Sequence, residues 1–476
     1  MTFSNKMISS LTLLIATGFL SQLAFSASDK NTQLSVQNNN LSPNLSHNTA
    51  DVALIRLANN VNNADTSKTL SLLETHWQDA YIAPLLDILS VSGSSATATQ
   101  IVNLLEEKTG NNFKHNTNQW FFWLWNKPQN IVNYYDNFKA ILYQQIDPKF
   151  NQYFKGRQQQ TRIRLDEIRW GGVVQDGIPP LRQPKMLSAQ QATYLADDNI
   201  VFGIKINGDA RAYPKRILAW HEMFVDTVGG VDIAGVYCTL CGTVIPYKTS
   251  LNGVQFELGT SGFLYRSNKL MYDKKTQSLW STVKGEPVVG PLVGKGIVLE
   301  HVGVVTTTWG EWKRRHPKTS VLSLDTGHNR NYGEGVAYSA YFSTDQLMFN
   351  TPFTDTRLKN KQEVLALRFF ASPKEQLAID TDFLNKNPLY KNNIGRQKIL
   401  VLTDSSGANR VYDPKEVDFV SYDQDSTLVD STGEQWHLEE EMLVAKKSQR
   451  TLTSLPYRRA FWFGWHAVFP ETKLIK

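Results

Sequence analysis

Cysteine is nearly absent: the 476 residues contain two, Cys238 and Cys241. Two sulfurs cannot make a disulfide framework, so the fold must rest on apolar burial. One-signed charge is scarce as well. The net charge is +6, with no run of about five like charges, which argues against nucleic acid as a partner and against an electrostatic membrane anchor. Beyond the first thirty residues no stretch approaches the roughly 18 apolar residues of a membrane span. The chain also lacks a G-x-S-x-G elbow, a P-loop, a G-x-G-x-x-G turn and an H-E-x-x-H helix. Nucleotide binding and the common hydrolase classes are therefore unsupported. What is present is a globular composition: 41% hydrophobic and 11% aromatic residues, enough for several packed cores.

The N-terminus has the pattern of an export signal. Lys6 supplies positive charge, residues 8–23 are mostly apolar, and Ala24 and Ser26 are the small residues that precede cleavage. Residues 1–26 are expected to be a signal peptide removed before Ala27, leaving a periplasmic or secreted protein with no stable membrane span. Residues 27–50, rich in Asn and Ser, are expected to be a flexible linker. Residues 51–155 carry Leu and Ile at helical spacing, among them Leu54, Leu57, Val61, Leu85, Leu86 and Leu89. They predict a helical, repeat-like domain of short paired helices. Its cluster Trp120, Phe121, Phe122, Trp123, Trp125 is expected to be core or a docking face.

From residue 176 onward, short β-branched runs bounded by Gly, Asn and Asp predict strands. Short helices are expected around 189–195, 214–220, 309–315 and 382–387. The fold class is α+β, and the β region reads as two copies of one unit, 176–330 and 331–476. Trp309, Trp312, Pro317 and Thr319 form W-x2-W-x4-P-x-T, and Trp462, Trp465, Pro470 and Thr472 repeat it. IVFGIKI aligns with VLALRFF, pairing Val201 with Val364, Ile204 with Leu367 and Lys205 with Arg368. VYCTLCGTVIPY aligns with VLTDSSGANRVY. This sets Cys238 against Thr403, Cys241 against Ser406 and Gly242 against Gly407. Matches in one order predict duplication. The second copy lacks the cysteine pair, so the cysteines are not needed to build the unit.

Cys238-Thr239-Leu240-Cys241-Gly242 at a strand end has the form of a metal knuckle, the Gly permitting a positive φ. His221 lies one strand upstream and is the expected third ligand beside Cys238 and Cys241. Copper or zinc suits mixed thiolate and imidazole ligation. Two alternatives stay open: a redox dithiol, as in a thiol-disulfide oxidoreductase, and a structural disulfide in a non-catalytic binding or scaffold protein. Candidate catalytic residues are His221, Glu222 as its orienting partner or base, and Tyr265 and Arg266 in a polar segment that would line a pocket or form a hairpin. The expected partner is a small-molecule substrate or an unidentified protein.

The segments INGDARAYP, WHEMFVDTVGG, YCTLCGTVIPY, SGFLYRSNKLMYD, SLWSTVKGEPVVGPLVG and TTWGEWKRRHP together resemble the bacterial domain-of-unknown-function family 3179. The resemblance runs from about residue 177 to 324, and the distal Trp repeat extends it toward the C-terminus. It implies an exported protein and carries no activity; the matching positions are Trp220, His221, Glu222, Cys238, Cys241 and Gly242.

Overall fold

A computed structural model describes residues 49–61, 66–369 and 372–476. The expected signal peptide, and all of the expected linker except Thr49 and Ala50, lie outside these residues. Thr49 and Ala50 already belong to the first helix, Thr49–Asn59. The described protein is mixed α+β. Among the described residues, no helix is long and apolar enough to cross a membrane.

Residues 49–154 are helical. Thr66–Thr75, Ile82–Val91, Ser95–Thr109, Thr117–Trp125 and Tyr135–Tyr143 follow the first helix. Ser94 caps Ser95–Thr109 by accepting from Thr97 N, and Gly110 ends it at φ 72°. The almost wholly apolar Ile82–Val91 helix lies at the centre, against Ser95–Thr109, Thr117–Trp125 and Tyr135–Tyr143. The first helix also packs on Tyr135–Tyr143. The helices thus close on one another; a repeat stack would bring together only successive pairs. Trp120, Phe121 and Trp125 are buried in this core, and Phe122 is 38% exposed.

The helical core runs without a break into a β-sheet. That sheet joins Ile168–Trp170, Leu258–Tyr265, Asn268–Asp273, Leu279–Ser281 and Glu286–Val289, in that order. Phe263 from the sheet meets Tyr143, Phe150, Tyr153 and Phe154, with ring centroids 4.7–6.0 Å apart. Below it lie two sheets of matching order. In one, Val305–Thr308, Ile200–Ile206, Asp209–Pro214 and Ser320–Leu322 are neighbours, with Met186–Ser188 at the edge. In the other, Arg458–Phe461, Glu363–Arg368, Gln376–Asp380 and Lys473–Ile475 take the same sequence of places. The last strand of each four pairs parallel and the rest antiparallel. Residues of both sheets, among them Val201, Val305, Leu365 and Ile379, share one core.

Each of these sheets is followed by a hairpin set. Met223–Val228, Val231–Cys238 and Thr243–Lys248 are antiparallel, as are Leu389–Ile394, Gln397–Thr403 and Asn409–Tyr412. The expected short helices occur at Lys215–His221, Trp309–Arg315 and Thr381–Lys386. Residues 189–195 form turns instead, because Ser188 O accepts from Gln191 N and Gln191 O accepts from Thr193 N, closing the backbone too tightly for a helix.

Candidate functional site

The Val231–Cys238 strand pairs with Thr243–Lys248 up to Cys238 opposite Thr243. The chain must reverse within Thr239-Leu240-Cys241-Gly242. Gly242 permits this with φ 60°, and a Cβ there would also crowd the Phe461 ring. The reversal brings Cys238 and Cys241 to a Cα separation of 5.2 Å, and they are joined as a disulfide. Both are buried, at 2% and 0% exposure.

Three parts of the chain cover the pair. Gly464 lies against Cys241, its lack of a side chain allowing the Trp462–Val468 helix to come close. Ser267 O lies 3.4 Å from the Cys241 sulfur. A strap containing Tyr338, Tyr341, Phe342, Met348 and Phe349 packs over the cluster. The Tyr341 hydroxyl donates to Leu240 O at 2.8 Å, tying the strap to the turn itself. The far end of the strap is pinned by the helical region, since Asn118 Nδ2 donates to Met348 O and Asn350 Nδ2 donates to Asn118 O.

The polar surroundings are unusual for an interior. The hydroxyls of Tyr237, Thr239 and Thr243 and the amide oxygen of Asn268 are buried without a hydrogen-bond partner. Asn268 belongs here because its Nδ2 donates to Gly464 O at 2.9 Å. Beside them Lys269 is ion-paired with Glu222, whose Oε1 accepts from the Tyr338 hydroxyl at 3.2 Å. Burial lowers the Lys269 pKa, and Glu222 opposes the shift. Burial also raises the Tyr338 pKa, with Glu222 adding to it.

His221 and Glu222 end one short helix, and Glu222 takes φ 54° as the helix terminates. Their side chains serve different neighbours. His221 Nδ1 donates to Pro179 O at 2.9 Å, and Nε2 accepts from the Tyr332 hydroxyl at 2.6 Å. Tyr332 in turn accepts from Thr326 at 2.6 Å. Burial pushes the imidazole down to about 4, so it is neutral near pH 7. Thr326 reaches the wall of a cavity of about 350 Å³ that Arg182, Gln183, Lys185, Asp325 and His328 also line.

The expected metal ligands are therefore not gathered. Cys238 and Cys241 are bonded to each other, and both nitrogens of His221 are engaged elsewhere. Among the described residues, no group of three or more His, Cys, Asp or Glu side chains could hold a metal ion. The residues present do not fit the copper or zinc expected from the cysteine spacing. The physical reason is the helix end: its left-handed turn sends Glu222 toward the cysteine side and leaves His221 with Pro179 and Tyr332.

Tyr265 and Arg266 take the hairpin alternative. They form the tip of the Leu258–Tyr265 and Asn268–Asp273 hairpin, with Arg266 and Ser267 at φ 50° and 62°. Arg266 is ion-paired with Glu167 at 2.5 Å, donates to Ala467 O at 3.1 Å and lies over the Tyr265 ring. Its donors tie the sheet to neighbouring segments. Sequence reasoning passed over Tyr338 and Tyr341, which cover the cysteines from about a hundred residues downstream. Nothing local to AYSAYF marks them.

No curated protein matches the chain, and no solved structure does. A family model does match, over residues 175–472, which take in both hairpin sets and both Trp-bearing helices. The chain belongs to the family described as protein of unknown function, DUF3179.

Proposed function

We propose that this is an exported, periplasmic or secreted protein whose Cys238–Cys241 pair is a buried two-electron thiol–disulfide centre acting on a small molecule. The centre is carried on the first of two copies of a duplicated β unit, residues 176–330 and 331–476; the second copy is structural. The observation that carries the reading is the contrast between the two hairpin turns. In the second, hydrogen bonds centred on Asp404 close the turn. Its Oδ1 accepts from Ser406 N and Ala408 N at 2.9 and 3.0 Å, and from the Ser406 hydroxyl. A turn of this kind needs no disulfide. A bridge across three residues also constrains the unfolded chain little, so stability is a weak reason for one here.

The unpartnered buried hydroxyls beside the sulfurs point the same way. A buried polar group without a partner costs about 1–3 kcal/mol, and such groups concentrate where chemistry needs them. Duplication is supported by the matching sheet orders and by paired details. Tyr247 bridges to His301 and Tyr412 to Ser454. Trp280 Nε1 donates to Asp273, and Trp436 Nε1 to Asp430.

The chemistry balances with a low-molecular-weight thiol as co-reactant. Its thiolate attacks one cysteine sulfur, the S–S bond breaks, and the departing cysteine thiolate takes up a proton. A second thiolate then attacks the mixed disulfide and releases the other cysteine. The small molecule leaves as its disulfide, having lost two electrons and two protons to the protein. Access requires the strap bearing Tyr338 and Tyr341 to lift.

Redox titration of the native protein in thiol–disulfide buffers, with alkylation and mass measurement, tests this. Both cysteines are expected to titrate together while the protein stays folded. The Cys238→Ser, Cys241→Ser double variant is expected to lose less than about 1 kcal/mol of stability and all redox response. A disulfide that resists dithiol reductants until the protein unfolds, or a double variant that no longer folds, returns the pair to a structural role.

A further inference from the structure

Four basic side chains converge on a narrow pocket away from the cysteine turn. Lys284 and His301 come from the first half of the β region. Arg368 ends the Glu363–Arg368 strand, and Arg458 opens Arg458–Phe461. Val283 and Leu299 complete a lining that contains no carboxylate. Arg458 is only 2% exposed, yet its partners are neutral. It donates to Val283 O at 2.9 Å, lies 3.3 Å from His301 Nε2 and sits over the Trp465 ring. Arg368 and Lys284 both lie over Phe469, at 5.6 and 5.9 Å from its centroid. Lys284 meets Glu286 only at 3.9 Å. Among the described residues, no carboxylate is paired with Arg368 or Arg458.

Buried positive charge without a counter-charge is costly, and aromatic faces offset only part of the cost. The strain is visible in the groups themselves. Burial lowers the His301 pKa to about 3, with Arg458 and Arg368 adding to the shift. Burial lowers the Arg458 pKa to about 10, and Arg368 contributes. Guanidinium and ammonium donors that share one lining suit the oxygens of a tetrahedral anion. The pocket is narrow, about 10 Å³, so even a small anion would have to displace the partly exposed Lys284 and Arg368 side chains to enter.

We propose that Lys284, Arg368 and Arg458 bind a small free oxyanion of the phosphate or sulfate class between the two halves of the β region. Calorimetry and thermal melting of the unaltered protein with inorganic phosphate or sodium sulfate, against sodium chloride at equal ionic strength, test it. Either oxyanion is expected to raise the melting temperature beyond chloride and to give a saturable heat. Lys284→Gln and Arg368→Gln alter partly exposed side chains, and each is expected to weaken binding about tenfold. Without the anion both variants should melt no lower than the parent, because a repulsion has been removed; residues with a purely structural role would lower it. No shift beyond chloride in the parent, or a shift undiminished in both variants, overturns the proposal.

Discussion

Gly203 sits mid-strand in Ile200–Ile206, where glycine is ordinarily a poor choice. The reason is Trp312: a Cβ on Gly203 would overlap its ring. Gly235 meets Phe224 in the same way. Single hydrogens here decide how closely an aromatic ring can approach a sheet. Gly203→Ala is expected to cost about 1–3 kcal/mol through overpacking, read as a lower midpoint of chemical denaturation with an unchanged slope. The glycine was visible in the sequence, but its ring partner lies 109 positions away and was not. Glu222 teaches the same lesson. Its place beside His221 invited a joint role, and the left-handed turn at the helix end gave the two residues separate partners.

The Trp309–Arg315 and Trp462–Val468 helices are each seven residues long, too short to persist alone. Each is locked by its second tryptophan. Trp312 Nε1 donates to Thr319 at 2.9 Å, and Trp465 Nε1 donates to Thr472 at 3.0 Å. Pro317 and Pro470 follow the helix ends, where the helix cannot continue. Trp, Pro and Thr all fall within a few turns of chain, so this element was legible as W-x2-W-x4-P-x-T. Under the proposed duplication, Trp312→Phe and Trp465→Phe should cost similar amounts, about 1–3 kcal/mol each, by denaturant titration. A large cost at one and none at the other would speak against equivalent roles.

At the scale of the molecule, the two halves of the β region are joined by apolar core and by a buried ionic network. Arg410 pairs with Asp404 and Glu440, both at 2.8 Å. From the first half, Arg315 reaches Asp404 at 3.4 Å, and His316 reaches Glu440 at 3.2 Å. Burial alone would raise the Glu440 carboxyl pKa; Arg410 and His316 overcome it and hold the carboxyl at about 2. Asp404 is also lowered against its burial, by Arg410, Ser406 and Arg315. Carboxyls depressed in the folded state contribute stability above their unfolded pKa near 4.3, and that contribution disappears as pH falls toward the folded value. Stability is therefore expected to drop between about pH 5 and pH 2. Glu440→Gln should be less stable at pH 7 and show a shallower acid limb, measured by denaturation midpoints across that range. An acid limb as steep as the parent's would exclude Glu440 as a main contributor.

By itself the sequence determined whatever depends on neighbours a few residues apart. The mixed α+β class, the three short helices beside Trp220, Trp312 and Leu384, the tight turn at Gly242 and the family resemblance all rest on local spacing. The Cys238–Cys241 disulfide stood there as one of three readings. The tertiary structure alone decided which distant groups meet. It gave His221 to Tyr332, placed Tyr341 over the cysteine turn, and paired Arg266 with Glu167. It also drew Lys284, His301, Arg368 and Arg458 to one pocket. The reason is physical: spacing encodes the period of a helix or strand, whereas a side chain's partner is set by the packing of sheets whose strands are far apart in the chain.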